Sequence, residues 1–516
     1  MGKWMDDHLK KLAQLRRENL AGGGQDRLEA QHALGKLTAR ERIDLLADPG
    51  SFEEIGSVVR DTRPPFDGKN RFSPGDGVVM GLAKIKGRQV MVYSMDFTVM
   101  SGALGDQAAW KIGDLVKMAG QLKVPLVGII DSAGERLSIK NGDVGFNGLA
   151  YLLRNYCLFS GVIPRITLLS GPCTGLLAYL PVLSDFLIMH QKTSFLWLGG
   201  EIASPGAGTA AFHMSKSGQC DIIAASDREA MEQIKNLLDY LPQNCWEKPV
   251  RAEATDHSDH NIQELLDILP DNPKFTYDIH EIIDQLVDPG SFFELKEDYA
   301  PHLVTGFARF DGRVTGIVAN NPEELSGIFE PNASDKMDRF INFLDAFDIP
   351  LLTLVDTTAF VPGDKWERLG VIRHGAKLLH SYAHLTCPKI TVVLRRSYGG
   401  GNIVMGCSGM NPDFIYGWPT MEFAPTGPET VVHAVFNKEL AKAREKGNYE
   451  QVFNFYLGIL KEMFSVFQMG KHWTTYYTVH EIIDPRETRA KIVRALEATA
   501  HKHEAWPEKK RSIKPA

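Results

Sequence analysis

Residues 390–406 read ITVVLRRSYGGGNIVMG: a β-branched apolar run, two arginines, then three consecutive glycines, Gly399 to Gly401. Bare backbone units at the end of a strand suit a turn whose N–H groups face a cleft. Phosphate chemistry is the first candidate, and the spacing excludes it. A phosphate-cradling loop requires Lys followed by Ser or Thr after the glycines, and GGGNIVMG has neither. A dinucleotide fingerprint requires a glycine where Val404 stands. The residues permit an oxyanion hole, in which amides held in advance stabilise negative charge developing on an oxygen. A tight packing turn is the plainer reading of one copy.

A second turn, SGPCTGLLAYLP, also ends an apolar strand. Its Gly171, Cys173 and Gly175 form G-x-C-x-G, the spacing of a nucleophile elbow with cysteine as the attacking group. That chemistry needs a base and an orienting acid. His190 and His213 follow, but no spacing ties either to Cys173, and a small buried cysteine is the commoner state. No cysteine pair or Cys/His cluster has zinc-site spacing, so no metal is expected.

Two such turns raise the question of what positions them, and the chain answers with a repeat. IDLLADPGSFEEI at Ile43 and IDQLVDPGSFFEL at Ile283 lie 240 positions apart and share nine of thirteen residues. GLAKIKGR at Gly81 and VPLVGIIDSAG at Val124 meet GFARFDGR and IPLLTLVDTTA at an offset of 225; PRITLLSGPCTG at Pro164 meets PKITVVLRRSYG at 224. Each half predicts a short helix ended by Asp-Pro-Gly, strands joined by a Gly-Arg hairpin turn, then alternating helices and buried strands. VPLVGIID and IPLLTLVD are apolar on both faces, as strands covered on both sides are. Helices are expected around Lys111–Leu122 and Asp335–Phe347 from their three-and-four apolar spacing. The linker lies near CWEKPVRAEATDHSDHN, where the periodic pattern stops.

Bulk properties agree with two domains. The chain has 516 residues, 44% apolar and 23% charged, too long for one ordinary core. A net charge of -7 without a concentrated basic face argues against nucleic acid as a partner. Six widely spaced cysteines, an N-terminus without a signal-type apolar core and no 18-residue apolar stretch point to a reduced, cytoplasmic setting.

Ordered motifs carry a family resemblance across nearly the whole chain. KLTARERIDLLADPGSFEE, MDFTVMSGALG, VPLVGIIDSAGERL, SGVIPRITLLSGPC, HMSKSGQCD, VTGFARFDGR, GAKLLHSYAHLTCPKITVVLRRSYGGG and GWPTMEFAPTGPE resemble one family. It is that of the carboxyltransferase (beta) subunits of biotin-dependent acyl-CoA carboxylases, propionyl-CoA and methylcrotonyl-CoA carboxylase type, with the related acyl-CoA decarboxylase alpha subunits. The resemblance implies an α/β fold: a tandem duplication of two crotonase-like domains, each a spiral of ββα units. Residues 1–260 would form the acyl-CoA side and 261–516 the biotin side. It implies carboxyl transfer between carboxybiotin and the alpha (or vinylogous gamma) carbon of an acyl-CoA, via enolate intermediates held in two backbone oxyanion holes. Active sites between subunits imply a homo-oligomer, a hexamer built from dimers. LVKMAG around Lys117 and SDKMDR around Lys336 lack the methionine that precedes a biotinylated lysine, and no ATP-binding signature appears. Biotin is therefore expected on a separate carrier, with a biotin carboxylase subunit or, for a decarboxylase, a membrane subunit.

By match to the family's R-K-x-Y-G-G-A, the biotin oxygen is expected at the amides of Gly400 and Gly401. For the thioester oxygen two alignments compete: the family's G-P-C-A-G-G-A points to Gly175 and Leu176, the internal repeat to Leu176 and Leu177. The family has Gly-Ala where the leucines stand, so their side chains must point away or narrow the pocket. Ile403 matches an acyl-pocket position, and Asn402 lies beside it in a run that partly resembles the methylcrotonyl-type G-A-G-N-Y-G-M. Arg136 is a candidate for a CoA phosphate, with a solvated charge or ion pair as the alternative. Lys216 borders the site or belongs to a capped helix start, and Arg395 and Arg396 orient the glycine turn. Trp197 and Leu198 suit a larger acyl group or simple packing. Readings of other classes are a crotonase-like hydrolase using Cys173 and a non-catalytic acyl-CoA-binding protein.

Overall fold

The computed structural model describes residues 3–61, 73–136, 146–253, 262–272, 275–464, 478–507 and 509–515. The chain forms two compact units, Met1–Lys248 and Pro249–Ala516. The boundary expected between 260 and 261 lies outside the described residues.

In the first unit β1 (Glu53–Glu54), β2 (Val78–Ile85) and β3 (Arg88–Met95) run antiparallel. Beyond β3 the sheet continues in parallel with β4 (Leu126–Ile130) and β5 (Arg165–Leu169). After the short β6 (Pro172–Thr174) come β7 (Phe186–His190), β8 (Phe195–Trp197), which pairs with β6, and β9 (Ile222–Ala224). The seven-stranded order is β1-β2-β3-β4-β5-β7-β9.

The second unit repeats this plan. β10 (Phe293–Leu295), β11 (Leu303–Phe310) and β12 (Arg313–Asn320) are antiparallel. β13 (Leu351–Thr357), β14 (Lys389–Tyr398), β15 (Phe414–Gly417) and β17 (Glu481–Ile482) follow in parallel, with β16 (Glu422–Ala424) paired to β14. The ten-residue β14 spans in one strand what β5 and β6 divide between them. The expected tandem duplication of crotonase-like ββα units is therefore the fold.

Local chemistry explains the shared plan. The hairpins β2–β3 and β11–β12 turn on Lys86-Gly87 and Asp311-Gly312, all at positive φ, the geometry that matches strand twist. The Asp of each repeated Asp-Pro-Gly holds its hairpin. Asp48 accepts from the amides of Lys86 and Gly87 at 2.9 and 2.8 Å; Asp288 accepts from Asp311 and Gly312 at 2.9 and 2.7 Å. Every residue of β4, β5 and β7 is buried, as the two-faced apolar runs require. Helices Asp106–Leu122 and Pro331–Ala346 cover the sheets with Ile112, Leu115, Val116 and Ala119, and with Met337, Ile341 and Leu344. Among the described residues, no helix is long and apolar enough to cross a membrane, and no three His, Cys, Asp or Glu side chains gather as metal ligands.

Candidate active site

Both turns leave the carboxyl end of a central parallel strand. β5 and β6 run into the single 3-10 turn Gly175–Ala178, and β14 runs into the helix Gly399–Val404. Each opens on a glycine with left-handed backbone, Gly175 at φ 72° and Gly399 at φ 53°, a conformation costly for other L-residues. These glycines are 224 positions apart, the offset of their strands. Within the repeat, Leu176 and Leu177 therefore hold the backbone places of Gly400 and Gly401. The side chain of Leu177 enters the apolar core, while Leu176 turns outward and is 41% exposed.

The two turns differ in what lies on them. At the second, Gly400 is exposed, and a Cβ built on it stands 3.0 Å from the Phe360 ring. First-turn amides of a helix have no preceding carbonyl to bond, and no side chain caps this helix from Tyr398. Ile403, three residues on, shares the face of Gly400 and is 40% exposed. Asn402 ties the helix to β14 by accepting from Ser397 Oγ at 2.8 Å. At the first turn the Leu177 amide donates to the carboxylate of Glu135.

A buried carboxylate anchors each strand end. Asp356, in β13, accepts from Arg395 Nε at 2.9 Å, Arg396 Nε at 2.7 Å and Tyr277 OH at 3.1 Å. Asp131, at the equivalent place, accepts from Lys36 at 2.6 Å and from Arg42 and Gln31 at 3.0 Å. Arg395 and Arg396, which precede the glycine turn in β14, are thus tied to β13 by Asp356.

Arg136 turns inward: its Nη1 lies 2.5 Å from Asp76 and 3.4 Å from Asp61, and its Nη2 donates to the Ala103 carbonyl at 3.0 Å. Lys216 is exposed on the irregular helix His213–Ser217. Cys173 is fully buried; burial, and after it the Glu135 carboxylate, push its thiol pKa far up. His213 meets Ser217 Oγ at 2.7 Å and the Leu196 carbonyl at 2.9 Å, and His190 Nδ1 accepts from the Lys192 amide at 3.2 Å. A buried, protonated thiol is a poor nucleophile. Trp197 stacks on Phe195, centroids 4.9 Å apart, and Leu198 beside it is 62% exposed.

Sequence reading missed Glu135. It lies forty positions from Gly175, and its repeat partner at offset 225 is Phe360, which shares no chemistry with it. A glutamate in a motif otherwise read for its arginine carried no signal; the fold brings it to the turn.

A family model described as carboxyl transferase domain matches residues 30–513. The propionyl-CoA carboxylase carboxyltransferase subunit of Haloferax mediterranei is 37% identical over 98% of both chains. The methylmalonyl-CoA decarboxylase subunit alpha of Veillonella parvula is 37% identical over 97% of this chain and 96% of its own. A crystal structure of transcarboxylase 12S, a hexamer assembly with methylmalonyl-coenzyme A and methylmalonic acid bound, aligns with TM-score 0.92 and 37% identity, over 100% of this chain and 99% of that one.

Proposed function

The chain belongs to the carboxyl transferase family, and from that premise we propose that it is a biotin-dependent acyl-CoA carboxyltransferase subunit, acting at the alpha (or vinylogous gamma) carbon of an acyl thioester. The observation that carries this reading is the pair of turns at matching strand ends, each opened by a left-handed glycine. Two anionic oxygens need two sets of fixed donors, and backbone amides provide them without a titrating side chain.

Gly400 and Gly401 are the residues that would hold biotin. Their uncapped amides and the Phe360 ring fit a neutral ureido ring that presents one oxygen and an apolar face. Carboxybiotin, when its carrier docks, supplies the carboxyl group. On the acyl side, loss of the α-proton places negative charge on the thioester oxygen, and the Gly175–Leu177 turn stabilises it through its amides. The side chains of Leu176 and Leu177 lead away from the turn, one outward and one into the core, while the Leu177 amide is shared with the Glu135 carboxylate. Ile403 bounds the site beside Gly400, and Asn402 positions the helix that presents it. Lys216, exposed, offers its charge to the CoA phosphates; Arg136 acts as a positioning residue through Asp76.

The biotin carrier and biotin carboxylase are separate subunits in this reading. The chain assembles into a hexamer built from dimers, in line with the transcarboxylase 12S hexamer assembly, and a cytoplasmic setting belongs to the same reading. The decarboxylase relative supports a second role for the same chemistry run in reverse, with a membrane subunit as partner. Which partner co-purifies decides between them.

The test is a panel of alpha- and gamma-carboxylated acyl-CoA thioesters incubated with the assembled protein and free biotin. Biotin-dependent decarboxylation of at least one is expected. Binding of acyl-CoA without exchange across the panel would leave a non-catalytic binding protein and overturn the proposal.

A further inference from the structure

Glu135 stands on the first turn in a fixed pose. Its backbone bridges to Leu104: the Leu104 amide donates to the Gly134 carbonyl and the Arg136 amide to the Leu104 carbonyl, both at 2.9 Å. On one side Arg136 is clamped by Asp76; on the other the Ala133 carbonyl accepts from Thr174 Oγ1 at 3.1 Å. With the chain anchored on both sides, the side chain extends over the turn. Its Oε1 accepts from the Leu177 amide, and its Oε2 occupies the space a Cβ on Gly175 would take.

The second unit supplies an internal control. Phe360, 225 positions on, bridges to Phe329 in the same way: the Phe329 amide donates to the Ala359 carbonyl at 3.0 Å and the Val361 amide to the Phe329 carbonyl at 2.9 Å. The scaffold therefore sets a side chain over each turn without requiring that it be an acceptor. One turn carries an aromatic ring and leaves its amides to an incoming oxygen. The other carries a carboxylate already bonded to an amide.

We propose that Glu135 is a specificity-determining residue of the acyl site, an internal ligand that competes with the substrate thioester oxygen for the Leu177 amide. The proposal rests on assigning that turn to the acyl-CoA. A carboxylate accepts a stronger hydrogen bond than a neutral thioester carbonyl, so ground-state thioesters are disfavoured at this amide. An enolate oxygen carries its own negative charge and competes for the amide on more equal terms, against like-charge repulsion from the carboxylate beside it.

Calorimetric titration of the assembled wild type, E135Q and E135A with propionyl-CoA and with S-propyl-CoA, a thioether lacking the carbonyl oxygen, tests this. Free CoA serves as the reference for the nucleotide portion. Removing a charged competitor from one amide should tighten propionyl-CoA about tenfold in E135A and about threefold in the near-isosteric E135Q, while S-propyl-CoA changes less than about twofold. E135Q fills the same volume and retains a neutral acceptor, so it carries the comparison if the alanine variant does not fold. Equal changes for both ligands, or none for either, overturn the role of Glu135 while leaving the carboxyltransferase reading intact. Failure of the folded wild type to bind free CoA or either derivative overturns that reading and this inference together.

Discussion

Phe360 covers Gly400: a methyl group on the glycine would stand 3.0 Å from the ring, closer than ordinary contact. The residue is not in the left-handed region, so the ring and not the backbone disfavours a side chain there. Gly400→Pro removes the amide donor and should lower carboxyl transfer about 100-fold, the cost of one oxyanion donor, with acyl-CoA affinity unchanged. Gly400→Ala keeps the donor and should lose far less, with Phe360→Ala relieving the remainder. Exchange rates and calorimetric affinities read both effects. Normal transfer by a folded proline variant would remove Gly400 from the site.

Cys173 is buried with its pKa driven up, and the proposed transfer chemistry does not use it. Cys173→Ala should keep turnover within about twofold and cost about 1 kcal/mol of stability, as loss of one small buried group does. Total loss of activity in a folded variant would revive the cysteine hydrolase.

Asp356, in β13, joins Arg395, Arg396 and Tyr277. Asp356→Ala leaves two guanidinium groups without their shared carboxylate and should destabilise the protein by about 3–5 kcal/mol. Denaturant titration measures it. A change below about 1 kcal/mol, the range of a surface pair, would show that the network contributes little.

His280 lies 3.0 Å from Glu294 and 2.6 Å from Asp278. The hydrogen bond to Glu294 leads in raising its pKa from 6.5 to about 9, against burial and with help from Asp278. Because the folded state holds the proton more tightly, the stabilisation is fully present below about pH 6.5 and is lost as pH rises through about 9. The melting temperature of wild type should exceed that of His280→Gln most at about pH 6 and converge with it by about pH 10. A pH-independent difference would assign His280 to packing.

The duplication, the buried parallel strands and the two glycine turns were legible in the sequence. Identity at fixed offset, apolar runs and left-handed glycines are local properties, written in consecutive residues. Asp48 and Asp288 show how far this reaches: the repeated Asp-Pro-Gly marked both turns, although not the hairpin amides those carboxylates hold.

By itself the sequence determined the family, the two-unit plan and the two glycine turns at matching strand ends, because each depends on residue order. Tertiary structure decided the rest: that Leu176 and Leu177 hold the backbone places of Gly400 and Gly401; that Arg136 turns inward; and that Glu135 sits on the Leu177 amide. Those outcomes depend on backbone conformation and on contacts between residues tens of positions apart. Spacing along a chain carries no distance until the strands are paired.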